Sequence, residues 1–217
     1  MRSRPNLVKS EKLPPEPRQR RSREKRARLK HAALALFYAR GYERTSIEDI
    51  AKRANLATGT FYQHYRSKRQ LLVVLMEDLL TAMSQLSLQP DAGGDPRELL
   101  RGLLTRAFTT DRRYLGAYRA WREAMLSDPH LAQDWRDIRQ WTTQRVAALL
   151  MVLQQRPGAR QDIAIAPLAE LVDTLGWSLL DKPAFLSLGQ VNARIDAATH
   201  LIYHALFLDK GPDTAEQ

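Results

Sequence analysis

The 217-residue chain contains no cysteine. That excludes a disulfide framework, a thiol nucleophile and any zinc site built on thiolates, and it suits a reducing cytoplasm. Nor is there a run near the roughly 18 consecutive apolar residues that a membrane span requires. The basic N-terminus has no apolar segment behind it, so a secretory signal is not expected. No stretch alternates with period two strongly enough to read as a strand. A Gly-rich phosphate loop, a His-Glu-x-x-His pair and a Gly-x-Ser-x-Gly elbow are all missing, so neither an enzyme nor a cofactor is expected. Acid/base pairs assembled by the fold from distant residues stay open at this point.

What the chain has in excess is positive charge, and it is concentrated. Residues 1–70 carry 19 Lys/Arg against 6 Asp/Glu, whereas residues 71–217 carry 15 against 18. A solvated basic tail would account for this. So would an electrostatic footprint for a polyanion, with nucleic acid the first candidate.

Residues 1–21 hold Pro5, Pro14, Pro15 and Pro17 among scattered charges, a composition expected of a disordered arm. From about Arg23 the pattern becomes helical, with Leu29, Ala33, Leu36 and Phe37 on one face and Gly41 at the end. Thr45 and Glu48 fit a capping box opening a second helix through Ile47, Ile50, Ala51 and Ala54. Asn55, which tolerates the left-handed conformation, marks a tight turn. A third short helix is expected over 58–65, with Phe61 and Tyr65 inward. Ser67 and Gln70 read as another capping box, opening a long helix that ends near Gln89. Further helices are expected at 95–109, 111–127, 129–155, 165–181 and 187–208, with joints at Pro129, Pro157-Gly158 and Pro183.

Two short helices joined by a four-residue turn have helix-turn-helix spacing. The outer side of the third helix carries Thr58, Thr60, Tyr62, Gln63 and His64, all hydrogen-bonding groups and none an acid. Hydroxyl, amide and imidazole groups can bond phosphate oxygens or base edges, where acids would be repelled. Gly59 would let the backbone approach a groove floor closely. Lys68 and Arg69 sit in a first helical turn, where the macrodipole disfavours cations unless an external anion such as phosphate compensates.

The segment Gly41-Tyr42, Thr45-Ser46, Ile50-Ala51, Gly59-Thr60-Phe61-Tyr62-Gln63-His64-Tyr65 and Ser67-Lys68 resembles the DNA-binding domain of the tetracycline-repressor (TetR) family. The resemblance implies an all-α protein of three parts. These are a disordered basic arm (1–21), a three-helix helix-turn-helix DNA-binding domain (22–70) and a helical ligand-binding and dimerisation domain (71–217). It further implies a homodimer on a palindromic double-stranded operator, with Thr45, Ser46, Tyr62 and Lys68 toward phosphates. Thr58, Gly59, Thr60 and Gln63 would face bases, and His64 either. Two residues depart from the pattern. Asn55 stands where Gly is usual, and Ala57 replaces the Ser that caps the third helix, leaving Thr58 either to cap or to read bases. The arm segment Arg18–Arg23 can also lie in a minor groove or remain a solubilising tail.

Beyond residue 90 the pattern is less specific. Leu168, Leu171, Leu175 and Leu179, and likewise Leu201, Ala205 and Leu208, line helix faces that are core or, as the resemblance implies, a four-helix dimer interface. The aromatics Phe108, Tyr114, Tyr118, Trp121, Trp141 and Trp177 are either core packing or the lining of a pocket for a small apolar or aromatic effector. Asp196, His200 and His204 share a helix face but lack a further ligand, so no metal is expected. Together these readings indicate a cytoplasmic, dimeric repressor released by a ligand. The alternatives are an activator or ligand-independent regulator of the same fold, or a helical lipid-binding protein or enzyme with a basic tail.

Overall fold

A computed structural model describes residues 3–9, 11–86, 94–179 and 187–207, and among these it contains nine α-helices. They are α1 (Arg20–Arg40), α2 (Ile47–Arg53), α3 (Thr58–His64), α4 (Lys68–Gln85), α5 (Pro96–Arg112), α6 (Leu115–Ala124), α7 (Pro129–Gln154), α8 (Ile165–Leu179) and α9 (Leu188–Leu206). The only strand-like pairing among the described residues is one isolated bridge, Ala159 to Phe207. The all-α expectation holds, and so do the three helices of the helix-turn-helix. Of the expected extension of α4 toward Gln89, residues 87–89 lie outside the described residues.

The helices fall into two compact units. One comprises Ser3–Gln85 with Thr109–Arg139, and so contains α1–α4, the end of α5, α6 and the first part of α7. Its core is the apolar stripe of α1 (Leu29, Ala33, Leu36, Phe37) with Ile50, Ala51, Phe61 and Tyr65. The α4 side chains Leu71, Leu72, Leu75, Met76 and Leu79, and Trp121 from α6, complete it. Helix α6 lies hard against α1. A Cβ on Gly116 would fall 2.8 Å from the carbonyl carbon of Leu34 and nearer still to its oxygen, so only glycine permits this approach.

In α4, residues 70 to 76 are buried without a break. With 3.6 residues per turn, seven consecutive buried positions mean that every face is covered. Part of the cover is the N-terminal arm, which departs from the expected disorder. Leu7 is buried, its N–H donates to Glu77 Oε2 at 2.9 Å, and Arg4 pairs with Glu77 at 2.5 Å. Glu11 pairs with Arg69, and the Gln70 amide donates to Lys12 O at 3.3 Å. One buried leucine and three ion pairs, the third between Glu16 and Arg26 at 3.6 Å, hold the arm where composition alone indicated a free chain.

The other unit comprises Leu86–Phe108 with Gln140–Gln217. Leu100, Leu150, Leu153, Ala169, Ile202, Leu206 and Phe207 form its principal core, with Leu168 and Val172 packed against it. Phe108, Val191 and Ile195 make a smaller cluster. Between α7 and α8, Trp177 Nε1 donates to Thr142 Oγ1 at 3.3 Å and Thr143 Oγ1 to Asp173 Oδ2 at 3.0 Å. Ser187 and Gln190 form a reciprocal capping box that opens α9.

Candidate nucleic-acid interface

The approach to the helix-turn-helix is a tight turn after Gly41, whose φ of 85° is open to glycine. Thr45 N bonds Tyr42 O at 3.2 Å, and Thr45 Oγ1 donates to Gly41 O at 2.7 Å. Thr45 is therefore buried, 1% exposed, and its hydroxyl is spent on the turn. The cap of α2 is the next residue. Ser46 accepts from Asp49 N at 3.0 Å while Asp49 accepts from Ser46 N, which corrects the expected Thr45–Glu48 box by one position. Ser46 remains exposed.

Helix α2 ends in a Schellman motif. Leu56 N reaches Ala51 O at 3.0 Å and Asn55 N reaches Lys52 O at 3.0 Å, with Asn55 left-handed at φ 52°. Helix α3 then begins at Thr58. Ala57 occupies its N-cap with no side-chain hydrogen bond, so Thr58 is the first helical residue and does not replace the missing cap.

Burial divides α3 at helical spacing. Phe61, His64 and Tyr65 face inward, Gly59, Tyr62 and Gln63 face out, and Thr58 and Thr60 are half-buried between them. Tyr62 is 52% exposed although aromatic, so its ring and hydroxyl are offered outward. The outer face carries hydroxyl and amide groups and no carboxylate. No atom lies within 4 Å of a Cβ built on Gly59, leaving that stretch of backbone open to close approach. His64 differs from the expectation. It is 6% exposed, its Nε2 has no hydrogen-bond partner, and burial, then the cations Arg26 and Lys25, lower its pKa. It belongs to the packing of α3. Beside it, Arg26 Nε donates to the Tyr65 hydroxyl at 3.3 Å, and burial pushes that phenol up to about 12.

At the start of α4, Ser67 Oγ accepts from Gln70 N at 3.1 Å, but the Gln70 side chain reaches Arg66 N rather than Ser67 N. Lys68 lies with Nζ 2.7 Å from Tyr42 O and 4.1 Å from the Tyr42 ring centroid. Burial lowers its pKa, opposed by Glu43 and Glu123. One ammonium has three donors, so the bond to Tyr42 leaves capacity for an anion. Arg69 is committed elsewhere, to Asp128 at 2.6 Å and to Glu11. Burial alone would raise Asp128, but Arg69 and the N–H groups of Leu131 and His130 outweigh it and leave the carboxyl below its usual value.

Sequence reasoning did not find Glu123. From α6 it accepts from Tyr42 N at 2.7 Å and Glu43 N at 3.2 Å, so the Tyr42 backbone is held by Glu123 on its N–H and by Lys68 on its C=O. Glu123 lies some eighty residues from Tyr42 and Glu43 in the chain, and no local pattern announces it.

The six aromatics expected to line a pocket divide between the units. Tyr114, Tyr118 and Trp121 lie in the first, and Phe108, Trp141 and Trp177 in the second. Trp121 is fully buried with no partner for its Nε1, and Tyr118 packs 5.8 Å from the Trp135 ring. Of the residues expected at a dimer interface, Leu168 packs into its own unit, while Leu175 and Ala205 are half-buried. Leu171 and Leu201 are 68% and 62% exposed. Leu179 closes α8, and Leu208 lies outside the described residues.

Comparison with known proteins matches the helix-turn-helix segment to a described family. Residues 29–75 match the family described as bacterial regulatory proteins, tetR family. The transcriptional regulator TcmR of Streptomyces glaucescens is 35% identical over 86 residues, covering 39% of this chain and 38% of TcmR. The transcriptional repressor KstR2 of Mycolicibacterium smegmatis is 33% identical over 85 residues, covering 39% of this chain and 42% of KstR2. The chain thus spans about two fifths of the length of these relatives. A putative transcriptional regulator from Saccharomonospora viridis, solved in complex with choline, superposes with a TM-score of 0.69 at 22% identity, covering 85% of this chain and 98% of that one. This likeness extends the fold beyond the helix-turn-helix.

Proposed function

From its membership, through residues 29–75, in the tetR family of bacterial regulatory proteins, we propose that this chain is a sequence-specific transcriptional regulator of duplex DNA. It acts as a dimeric repressor released by a small apolar or aromatic ligand. The observation that carries the reading is the outer face of α3, where Gly59, Tyr62 and Gln63 are exposed, half-buried Thr58 and Thr60 border them, and there is not one carboxylate. Ser46 and Lys68 flank that face with an exposed hydroxyl and a cation, and with Tyr62 they meet phosphates while Thr60 and Gln63 meet bases. Residues 22–70 supply this DNA contact and 71–217 the ligand and partner contacts, in a cytoplasmic protein. No helix among the described residues is long and apolar enough to cross a membrane.

The exposed Leu171 and Leu201 on α8 and α9 favour a second copy of the chain as partner, because large leucines stay in water only at a cost. A two-fold dimer presents two α3 helices to two half-sites, hence the palindrome. The buried Trp121 Nε1–H, which has no acceptor, is a polar anchor of the kind that fixes a ligand in an apolar site.

A mobility-shift assay with DNA flanking the protein's own gene tests the reading. Specific retardation is expected, weakened on every sequence by Tyr62→Phe and Lys68→Ala. Absence of any specific complex contradicts it.

A further inference from the structure

We propose that Arg28 is the positioning residue of the recognition helix, fixing α3 by gripping the turn that precedes it. The proposal rests on the DNA-binding reading and adds the element that sets its register. The Schellman motif at the end of α2 satisfies the carbonyls of Ala51 and Lys52 and leaves those of Ala54 and Asn55 without helical partners. Arg28 Nη2 donates to both, to Asn55 O at 2.9 Å and to Ala54 O. A guanidinium here also faces the negative end of the α2 dipole.

The grip matters because nothing equivalent holds the other side of the turn. Ala57 gives the first N–H groups of α3 no side-chain acceptor, and the tight backbone bond from Thr60 N to Ala57 O, 2.9 Å, closes its first turn. A seven-residue helix is too short to fix its own position. Its entry is set by residues 54–57, and these are tied to α1 by Arg28. Helix α1 is in turn held against α6 by the close approach at Gly116.

Core packing does not explain the side chain. Arg28 is exposed, beside an open groove of about 430 Å³ floored by Ala27, Ala32, Ala35 and Ala54. His31 and Arg53 form the rest of that groove. The polar contacts of Arg28 go to backbone carbonyls, the route by which it acts on the geometry of α3, and the salt dependence of binding separates this route from charge on a phosphate.

The test begins with selection of a preferred site from a random duplex pool by the full-length protein. Affinity for that site and for a scrambled duplex is then measured over a range of salt for the wild type, Arg28→Ala, Arg28→Lys and Arg28→Ala with Ala57→Ser. Arg28→Ala is expected to lower the ratio of specific to nonspecific affinity by about tenfold, the scale of a hydrogen-bonded charged group. The salt slope should stay that of the wild type. Arg28→Lys, which keeps a cation at the carbonyls, should fall between the two. Ala57→Ser, by restoring a cap to α3, should recover most of the lost ratio. Circular dichroism of each variant separates these effects from unfolding, and Arg28→Lys provides the measurement should Arg28→Ala not fold. A slope that falls by about one on neutralising Arg28 would make it a phosphate contact and overturn the proposal. An unchanged ratio, or no recovery with Ala57→Ser, would overturn it too. If the wild type selects no site at all, the DNA-binding reading falls and takes this one with it.

Discussion

Replacing Gly116 by alanine is a stringent probe of how the helix-turn-helix is braced. Alanine normally favours a helix interior over glycine by about 1 kcal/mol, so the substitution should stabilise α6 in isolation. Here the added methyl would sit 2.8 Å from the Leu34 carbonyl carbon and 3.1 Å from its Cα, with the carbonyl oxygen closer still. These are backbone atoms and cannot rotate away, so α6 must move from α1 by roughly an ångström to reach ordinary contact. Overpacking of this kind costs about 1–3 kcal/mol, and a rigid neighbour puts it at the upper end. Net of the propensity gain, Gly116→Ala should lose about 1–2 kcal/mol. Urea denaturation followed by circular dichroism reads this as a lower midpoint at unchanged slope. Gly102→Ala is the control, since its Cβ would meet only the mobile tip of Arg106 at 3.4 Å. It should be neutral or stabilising. If Gly116→Ala is as stable as the wild type, α1 and α6 do not meet backbone to backbone and the bracing argument fails.

Three further outcomes are expected. Gly59→Ala should raise stability by about 0.5–1 kcal/mol, because open space receives the methyl, yet weaken DNA binding where that backbone approaches the groove. Paired melting and binding measurements decide it, and undiminished affinity would place Gly59 away from DNA. Leu7→Ala should cost about 2 kcal/mol, the low end for a buried leucine because a surface arm can settle into the gap. It should also speed tryptic cleavage at Lys9, Lys12 and Arg18; cleavage at the wild-type rate would mean that the arm is not anchored by this side chain. His64 gives a pH dependence of definite sign. Its folded-state pKa is lowered, so the unfolded chain takes up the proton more readily, and stability is full above the unfolded value of about 6.5 and falls as pH drops through the folded value. Denaturation midpoints from pH 8 to 5, compared with His64→Phe, should show that fall only while the imidazole is present.

The helices were legible because apolar residues recur at helical spacing and Gly or Pro separates them. Leu29, Ala33, Leu36 and Phe37 are buried as that spacing requires. The cap of α2 was misplaced because Thr45-x-x-Glu48 and Ser46-x-x-Asp49 satisfy one local rule equally. The turn that buries the Thr45 hydroxyl against Gly41 O decides between them. His64 looked outward by composition, whereas the helical phase puts it with Phe61 and Tyr65. The rest was illegible because it is nonlocal. Glu123 on the Tyr42 and Glu43 amides, Asp128 and Glu11 on Arg69, and Arg28 on the Asn55 carbonyl join residues 27 to 81 positions apart. Leu7 shows the same limit, since one apolar residue in a proline-rich, charged arm gives no periodic signal.

The central claim is that the outer face of α3 reads duplex DNA, and the sequence selected from a random duplex pool tests it most directly. Wild type and Lys68→Ala should select the same half-site, with Lys68→Ala weaker throughout and its salt slope reduced by about one. Gln63→Ala should lose preference at one or two positions of that half-site while keeping the wild-type slope. Selection of an identical site by Gln63→Ala and Thr60→Ala, or of no site by the wild type, would contradict the account.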